Sequence, residues 1–425
     1  MKLTIERKEL LDALGIVKGA AANGGRPQGL PILSHVLINT FDKSVEFTCT
    51  DLDLVLRAKA DADIHIKGAI TVPVQLLHDL VRGIDGESLT LEVVTHNKQK
   101  VLRVTCGDGE YKLATLPVEE FPPAPRLRDA YEVQVSQAAL RSLLNTTSFA
   151  AASKDETRYL LNSTLLRVNG DLTVVGCDNR KLAMSSTDDL EKSKHKDRDL
   201  IVPANAIAVL LRLLEDEDKK CRVAAAENLV QFHVGDTVLT SKLFAGKYPD
   251  IKDIIPETKG RGIAINRVEL LQALQRCALF SDVCQLEFKD QNLTLRTVNR
   301  QQKLGEALET LLVTTAENLR VQVNAPALSE ALRAVDADEI QFFAKANSPV
   351  TVKVAGQPWL AVFAGYAEEK PAAPQAENKP AKVTEAAVRK DESKVPAPTR
   401  ETKPVNVTNN GHATNGHVRP VAARQ

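Results

Sequence analysis

A repeat constrains this chain more than any other feature. "ELLQAL" at 269–274 is nearly a copy of "ELLDAL" at 9–14, and "ALRSLL" at 139–144 lies midway, so Leu10, Leu140 and Leu270 stand at one period of 130 residues. Each copy opens as a short strand followed by an amphipathic helix, in "KLTIERKELLDALGIV", "EVQVSQAALRSLLNTT" and "GIAINRVELLQALQRC". The apolar residues fall three or four apart and form one stripe. Ser136 and Asn266 stand where an N-cap should, ready to satisfy free backbone amides. A second strand–helix unit follows in every copy, "ITVPVQLLHDLVRGI", "LIVPANAIAVLLRLLED" and "RVQVNAPALSEALRAVD". Pro73 and Pro203 sit near the start of its helix, where a missing N–H costs little. Stretches such as "LTLEVV" and "KVLRVTC" alternate and read as strands. Two copies close on an aromatic-Pro pair, Phe121-Pro122 and Tyr248-Pro249. Together these features predict an α+β chain of three homologous domains, 1–126, 127–257 and 258–366, each with two helices packed on antiparallel sheet.

Composition narrows the function by exclusion. A chain of 425 residues suits several domains rather than one core. Lys+Arg and Asp+Glu balance at 55 each, so overall charge does not announce nucleic acid, and 4% aromatic content argues against base-stacking platforms. The charged start "MKLTIERKEL" is no signal peptide, and no stretch approaches the roughly 20 apolar residues of a membrane span. The six cysteines, at 49, 106, 177, 221, 277 and 284, form no C-x-x-C pair. That spacing points to reduced, mostly buried thiols in a cytoplasmic protein with no disulfide framework or zinc site. Residues 367–425 contain no Leu, Ile, Met, Phe, Tyr, Trp or Cys but seven prolines, which predicts a disordered tail. Its ten Lys/Arg against seven Asp/Glu leave a mild positive excess.

Catalytic signatures are missing. No P-loop, G-x-G-x-x-G, G-x-S-x-G or H-E-x-x-H occurs, and "NGGRPQG" at 23–29 lacks the G-K-[ST] that cradles phosphate. Asp51 and Asp53 of "TDLDL" would share a face if the segment were a strand, and two carboxylates could then hold a divalent cation. Asp178 of "CDNRKLA" repeats the Asp51 position, which favours a turn or scaffold aspartate over a metal ligand. The reading is a non-enzyme without metal or cofactor.

Specific stretches then become recognisable. "RPQGLPILSHVLI", "TDLDL", "TLPVEEFP", "TRYLLNSTLL", "CDNRKLA", "SKLFAGKYPDIKDIIP" and "NSPVTVKV" resemble, in order, segments of the bacterial sliding clamps, the beta subunit of DNA polymerase III. The resemblance covers residues 1 to about 366. It implies a head-to-tail homodimer whose six domains close a ring around duplex DNA, with the repeated helices lining the hole. It implies no catalysis; such a ring tethers the DNA polymerase III catalytic subunit, the clamp loader and other proteins carrying a clamp-binding motif. A sliding contact should touch phosphates without reading bases, and should do so sparsely. The candidate cations are Arg7, Lys18, Arg82, Arg141, Arg212, Arg276 and Arg333 on the helices, with Arg26 at a position that contacts DNA in the family.

Ring closure by resemblance falls on Tyr111 and Leu113 of the first domain and Leu279 and Phe280 of the third. The partner-peptide cleft, between the second and third domains, would use Arg158, Leu160, Leu161, Cys177, Arg180, Leu182, Pro249, Ile254, Asn324, Val362 and Phe363. The chain departs from the family in several places. "TDGHRLA" reads "CDNRKLA", an arginine of "PDYRR" is Asp253, Ala204-Asn205 replace a common basic pair, and "VFAGYAEEK" replaces a short "MPMRL"-like end. These departures motivate an alternative: a paralogous clamp or clamp-derived scaffold with altered partners.

Overall fold

The repeated stripes bury the same positions in each copy. A computed structural model describes residues 1–21, 30–128, 130–152, 159–191, 197–258, 260, 262–298, 305–314, 318–345 and 348–366. Arg26, Arg158 and the 367–425 segment therefore lie outside the described residues. The α-helices are α1 (Arg7–Val17), α2 (Val74–Gly83), α3 (Gln137–Thr147), α4 (Ala204–Leu213), the single turn α5 (Ile251–Ile254), α6 (Arg267–Ala278) and α7 (Ala325–Ala334).

Leu10, Ala13, Leu14 and Val17 are buried in α1; Leu140, Leu143, Leu144 and Thr147 take the same steps in α3, and Leu270, Ala273, Leu274 and Cys277 do so in α6. Steps of three and four keep these side chains on one face of a 3.6-residue turn. Capping follows the expectation: Ser136 Oγ accepts from the Ala139 N–H at 3.1 Å and Asn266 Oδ1 from the Glu269 N–H at 3.0 Å. Pro73 and Pro203 occupy the N-cap of α2 and α4.

The strands show how the copies are joined. Thr237–Lys242 of the second copy pairs antiparallel with Leu54–Asp61 of the first, which makes one nine-stranded sheet. Trp359–Phe363 of the third pairs in the same way with Lys181–Thr187 of the second, inside an eight-stranded sheet. Leu54–Asp61 and Lys181–Thr187 are the same strand of the repeat, each beginning three residues after Asp51 or Asp178. The third member of each set is a sheet edge: Gly109–Ala114 ends a five-stranded sheet and Leu308–Leu312 ends a four-stranded one. The helix-covered cores follow the joints. One apolar cluster runs through the first two copies, and a second fills the third.

The aspartates are turn residues, so the strand that would have aligned Asp51 with Asp53 does not exist. Asp51 Oδ1 accepts from the N–H groups of Asp53 (3.0 Å) and Leu54 (2.8 Å), closing the turn between two strands. Asp178 Oδ1 does the same for Arg180 (2.6 Å) and Lys181 (2.7 Å). A carboxylate next to its own turn amides is held by local geometry rather than by a cation.

Candidate functional site

Three surfaces hold the candidate residues. The first is the layer of helices, which pack in pairs, α1 with α2, α3 with α4 and α6 with α7. The last carbonyls of a helix have no partner within it, and a guanidinium can supply the missing donors. Arg7 Nε donates to Val81 O (3.0 Å) and Nη2 to Arg82 O (2.9 Å), at the end of α2. Arg141 Nη1 donates to Leu211 O (3.1 Å) and also to Leu214 O at the end of α4. Arg267 repeats the pattern in the third copy, from Nη1 to Leu332 O (3.0 Å) and from Nε to Ala337 O. Arg7 and Arg141, read from sequence as wall cations, are thus tied to a neighbouring helix. Arg276 forms a bidentate pair with Glu309, at 2.6 and 2.9 Å, on the edge strand Leu308–Leu312.

The remaining wall candidates are less committed. Arg82 lies 3.5 Å from Asp79, Arg212 Nε donates to Ala208 O of its own helix at 3.1 Å, and Arg333 faces the Gln275 side-chain amide. Lys18 Nζ is 3.5 Å from His78 Nδ1. Lys18 and Arg212 come from different copies yet line one depression of about 730 Å³ between α1, α2 and α4.

The second surface is an apolar cluster at the joint of the second and third copies. Cys177, Leu182 and Val362 meet Leu165, Val175, Ile201, Tyr248 and Ile251 there, with Leu160, Phe244, Met184, Ile255 and Leu360 packed around them. Ile254 of α5 is exposed at 36% and Arg180 is exposed, while Pro249 is half-buried. Three candidates go elsewhere. Phe363 belongs to the core of the third copy and Leu161 is buried outside the cluster. Asn324 Oδ1 caps α7 through the Ala327 N–H at 2.8 Å, leaving Nδ2 3.4 Å from Tyr366 Oη. Tyr248, Ile251, Phe244, Met184 and Leu360 were missed from sequence. Alternation along the strands was the available signal for two of them, since Met184 lies two after Leu182 and Leu360 two before Val362.

The glycine at 246 has φ +131°, and a Cβ there would stand 3.3 Å from Leu160 Cδ1, so the loop can lie close against the cluster. Burial pushes the Cys177 thiol up to about 12, which keeps it protonated and unreactive. Lys181, one of the departures from the family pattern, reaches across the joint to Glu330 Oε2 at 2.7 Å and lies 5.6 Å over the Phe149 ring. The equivalent joint between the first two copies is lined differently. Ile32, Leu33 and Phe121 form a separate buried cluster within the first copy, and by register Thr240 and Ser241 stand where Val362 and Phe363 stand in the other joint.

The third surface is the pair of free edges. Tyr111 is 40% exposed and Leu279 77%, while Phe280 is half-buried. Leu113 differs from the expectation of an open apolar contact: it is packed in the core of its own domain. Leu308 and Leu312, 61% and 82% exposed, were not foreseen. Leu308 and Leu312 fall on one face of their strand with Thr310 between them, but that no neighbouring strand lies beyond it is visible only once the sheet order is known.

Among the described residues no group of three or more His, Cys, Asp or Glu could hold a metal ion, and no helix is long and apolar enough to cross a membrane. What the surfaces offer is binding: a helix layer with scattered cations, an apolar cluster at a joint with Ile254 exposed beside it, and two edges able to extend a sheet. Three copies joined edge to edge in this way have the architecture of a sliding-clamp subunit. The N-terminal, central and C-terminal domains of the DNA polymerase III beta subunit match residues 1–125, 134–250 and 252–361. The chain belongs to that family, the sliding clamps, which are non-catalytic processivity factors of DNA replication. It is 31% identical to the beta sliding clamp of Pseudomonas aeruginosa over 348 residues, 80% of this chain and 92% of that protein. It is 30% identical to the Escherichia coli beta sliding clamp over 347 residues, with the same shares covered. The crystal structure of the Pseudomonas aeruginosa DNA polymerase III subunit beta superposes with a TM-score of 0.80 at 28% identity, covering 87% of this chain and all of that one.

Proposed function

We propose that two copies of this chain close head to tail into a six-domain ring around duplex DNA. The ring would hold the DNA polymerase III catalytic subunit, the clamp loader and other motif-bearing proteins at its clefts. The observation that carries the reading is the pair of unused joint strands. Each internal joint sets the last strand of one copy against the strand that follows the aspartate turn of the copy before it. Gly109–Ala114 and Leu308–Leu312 are the remaining members of the same two sets, and both are edges. Pairing them between protomers repeats the internal joint twice more and leaves no free member, which is how a head-to-tail contact closes into a ring. Tyr111, Leu279, Phe280, Leu308 and Leu312 would then be covered by the partner, and Leu113 would contribute through its backbone.

Lys18, Arg82, Arg212 and Arg333 would meet phosphates on the inner wall, together with Arg26. Partner peptides would seat an apolar end on Leu160, Cys177, Leu182 and Val362, beside Ile254, with Arg158 and Arg180 as the polar partners that the family resemblance implies. The protein would act in the cytoplasm without metal, cofactor or catalysis, with domains at 1–126, 127–257 and 258–366.

Sedimentation equilibrium at micromolar concentration tests the closure. The full chain should run at twice its own mass, and a Leu308→Asp, Leu312→Asp double variant as a folded single chain. A wild-type protein that stays single at this concentration, or a variant that still dimerises, removes the proposal.

A further inference from the structure

The face of the nine-stranded sheet turned away from the helices carries a cationic pocket that neither the wall nor the cleft uses. Val133, Val223 and Phe232 are buried on the helix side of their strands. The alternate positions, Glu132, Arg222 and His233, face the other way. Arg57, on the strand contributed by the first copy, joins them, and the 123–127 segment between the copies passes alongside with Arg126 exposed. Together they line a depression of about 590 Å³.

The donors in this pocket outnumber the acceptors. Three guanidinium groups face two carboxylates, Glu132 at 3.2 Å from Arg222 and Glu46 at 4.0 Å from Arg57. Arg57 Nε is buried with no hydrogen-bond partner. Arg222 Nη2 lies 3.1 and 3.2 Å from the two ring nitrogens of His233. A guanidinium can only donate and a neutral imidazole accepts at one nitrogen, so one of these approaches is left without an acceptor. Burial, Arg222 and Arg57 together hold the imidazole below its ordinary pKa. The fold does not demand this lining. In the third copy the positions that answer to Arg222 and His233 are Gln341 and Lys353, and the pocket beside Pro256–Thr258 is lined by Phe343 and Lys345.

We propose that the pocket under the 123–127 segment is a binding site for a phosphate-class oxyanion, held by Arg57, Arg126 and Arg222. A phosphate brings three acceptor oxygens and about −1.5 to −2 charges near neutrality, enough for the three unequal donor directions; a monocarboxylate brings fewer of both. The anion would bridge Arg126 of the connecting segment to strands of both copies and so brace the joint. It would also offset the repulsion that keeps His233 neutral. The site is independent of the ring reading, since it lies on the opposite face of the sheet from the helices.

The test uses the full chain and inorganic phosphate at constant ionic strength, followed by the imidazole resonances of His233, assigned by their loss in His233→Gln. A saturable shift is expected, with the His233 pKa raised. Arg57→Gln and Arg126→Gln should each weaken binding by about tenfold, the loss of one charge-assisted contact. Lys345→Gln, in the corresponding third-copy pocket, should change nothing. Arg126 is exposed, so its variant keeps the fold. A linear response shared by chloride, a response equal for acetate, or full binding in Arg126→Gln would overturn the assignment.

Discussion

Three arginines show how a side chain's role depends on carbonyls far away in sequence. Arg7, Arg141 and Arg267 each leave the first helix of a copy and cap the second, across 65 to 75 residues. A charge-assisted hydrogen bond of this kind contributes about 1.5–3 kcal/mol. Replacing Arg267 by Ala should therefore lower the melting temperature by several degrees, whereas Lys18→Ala and Arg212→Ala should leave it nearly unchanged and weaken DNA binding instead. Thermal unfolding and a DNA titration on the same three variants separate the roles. The helix stripes were legible because the 3.6-residue period is local, and so were the Ser136 and Asn266 caps. The duty of Arg7 was not, because its acceptors, Val81 O and Arg82 O, are brought near only by helix pairing. Asp178→Ala tests the turn reading. It removes acceptors for two amides and should cost about 1–2 kcal/mol, read by denaturant unfolding, with no response to added magnesium.

At the level of elements, the edge strand Leu308–Leu312 is tied to α6 by the Arg276–Glu309 pair. The hydrogen bond from Arg276, with its charge, holds the Glu309 carboxyl below the usual carboxylate range. A depressed folded pKa contributes stability that is complete above the ordinary glutamate value and lost as pH falls through the folded value. Both partners are partly exposed, so solvent screening keeps the contribution small. Glu309→Gln should therefore destabilise the protein slightly at neutral pH and not at all once the carboxyl is protonated, a difference that paired thermal melts at neutral pH and near pH 3 would show. Strand existence was readable from alternation, as in "LTLEVV"; strand order was not. Nothing local says that Thr237–Lys242 will pair with Leu54–Asp61, almost two hundred residues away, and the leucines at 308 and 312 gained meaning only from that order. The cleft was half legible for the same reason. Leu160, Cys177, Leu182 and Val362 were placed by likeness to a family, but the aromatic Tyr248 and Phe244 that pack with them depend on which loop folds back.

For the whole molecule, the internal joints carry the design: one joint, used twice within the chain, leaves one strand of each kind unpaired. The joints also differ where function needs them to. Apolar Val362 and Phe363 stand at one, and Thr240 and Ser241 take the same register positions at the other. A ring would hold DNA by topology, so its wall can be lightly charged, and with Arg7 and Arg141 committed to helix ends the account predicts few phosphate contacts. Each phosphate contact steepens the salt dependence by about 0.9 in logarithmic slope. The most direct measurement is therefore release on cutting. The clamp is loaded onto nicked circular plasmid, the plasmid is cut once with a restriction enzyme, and the bound fraction is followed by gel filtration. A topological ring stays with the circle and runs off the linear product. A protein that remains bound after the cut is held by contacts rather than by enclosure, and the six-domain ring is then wrong.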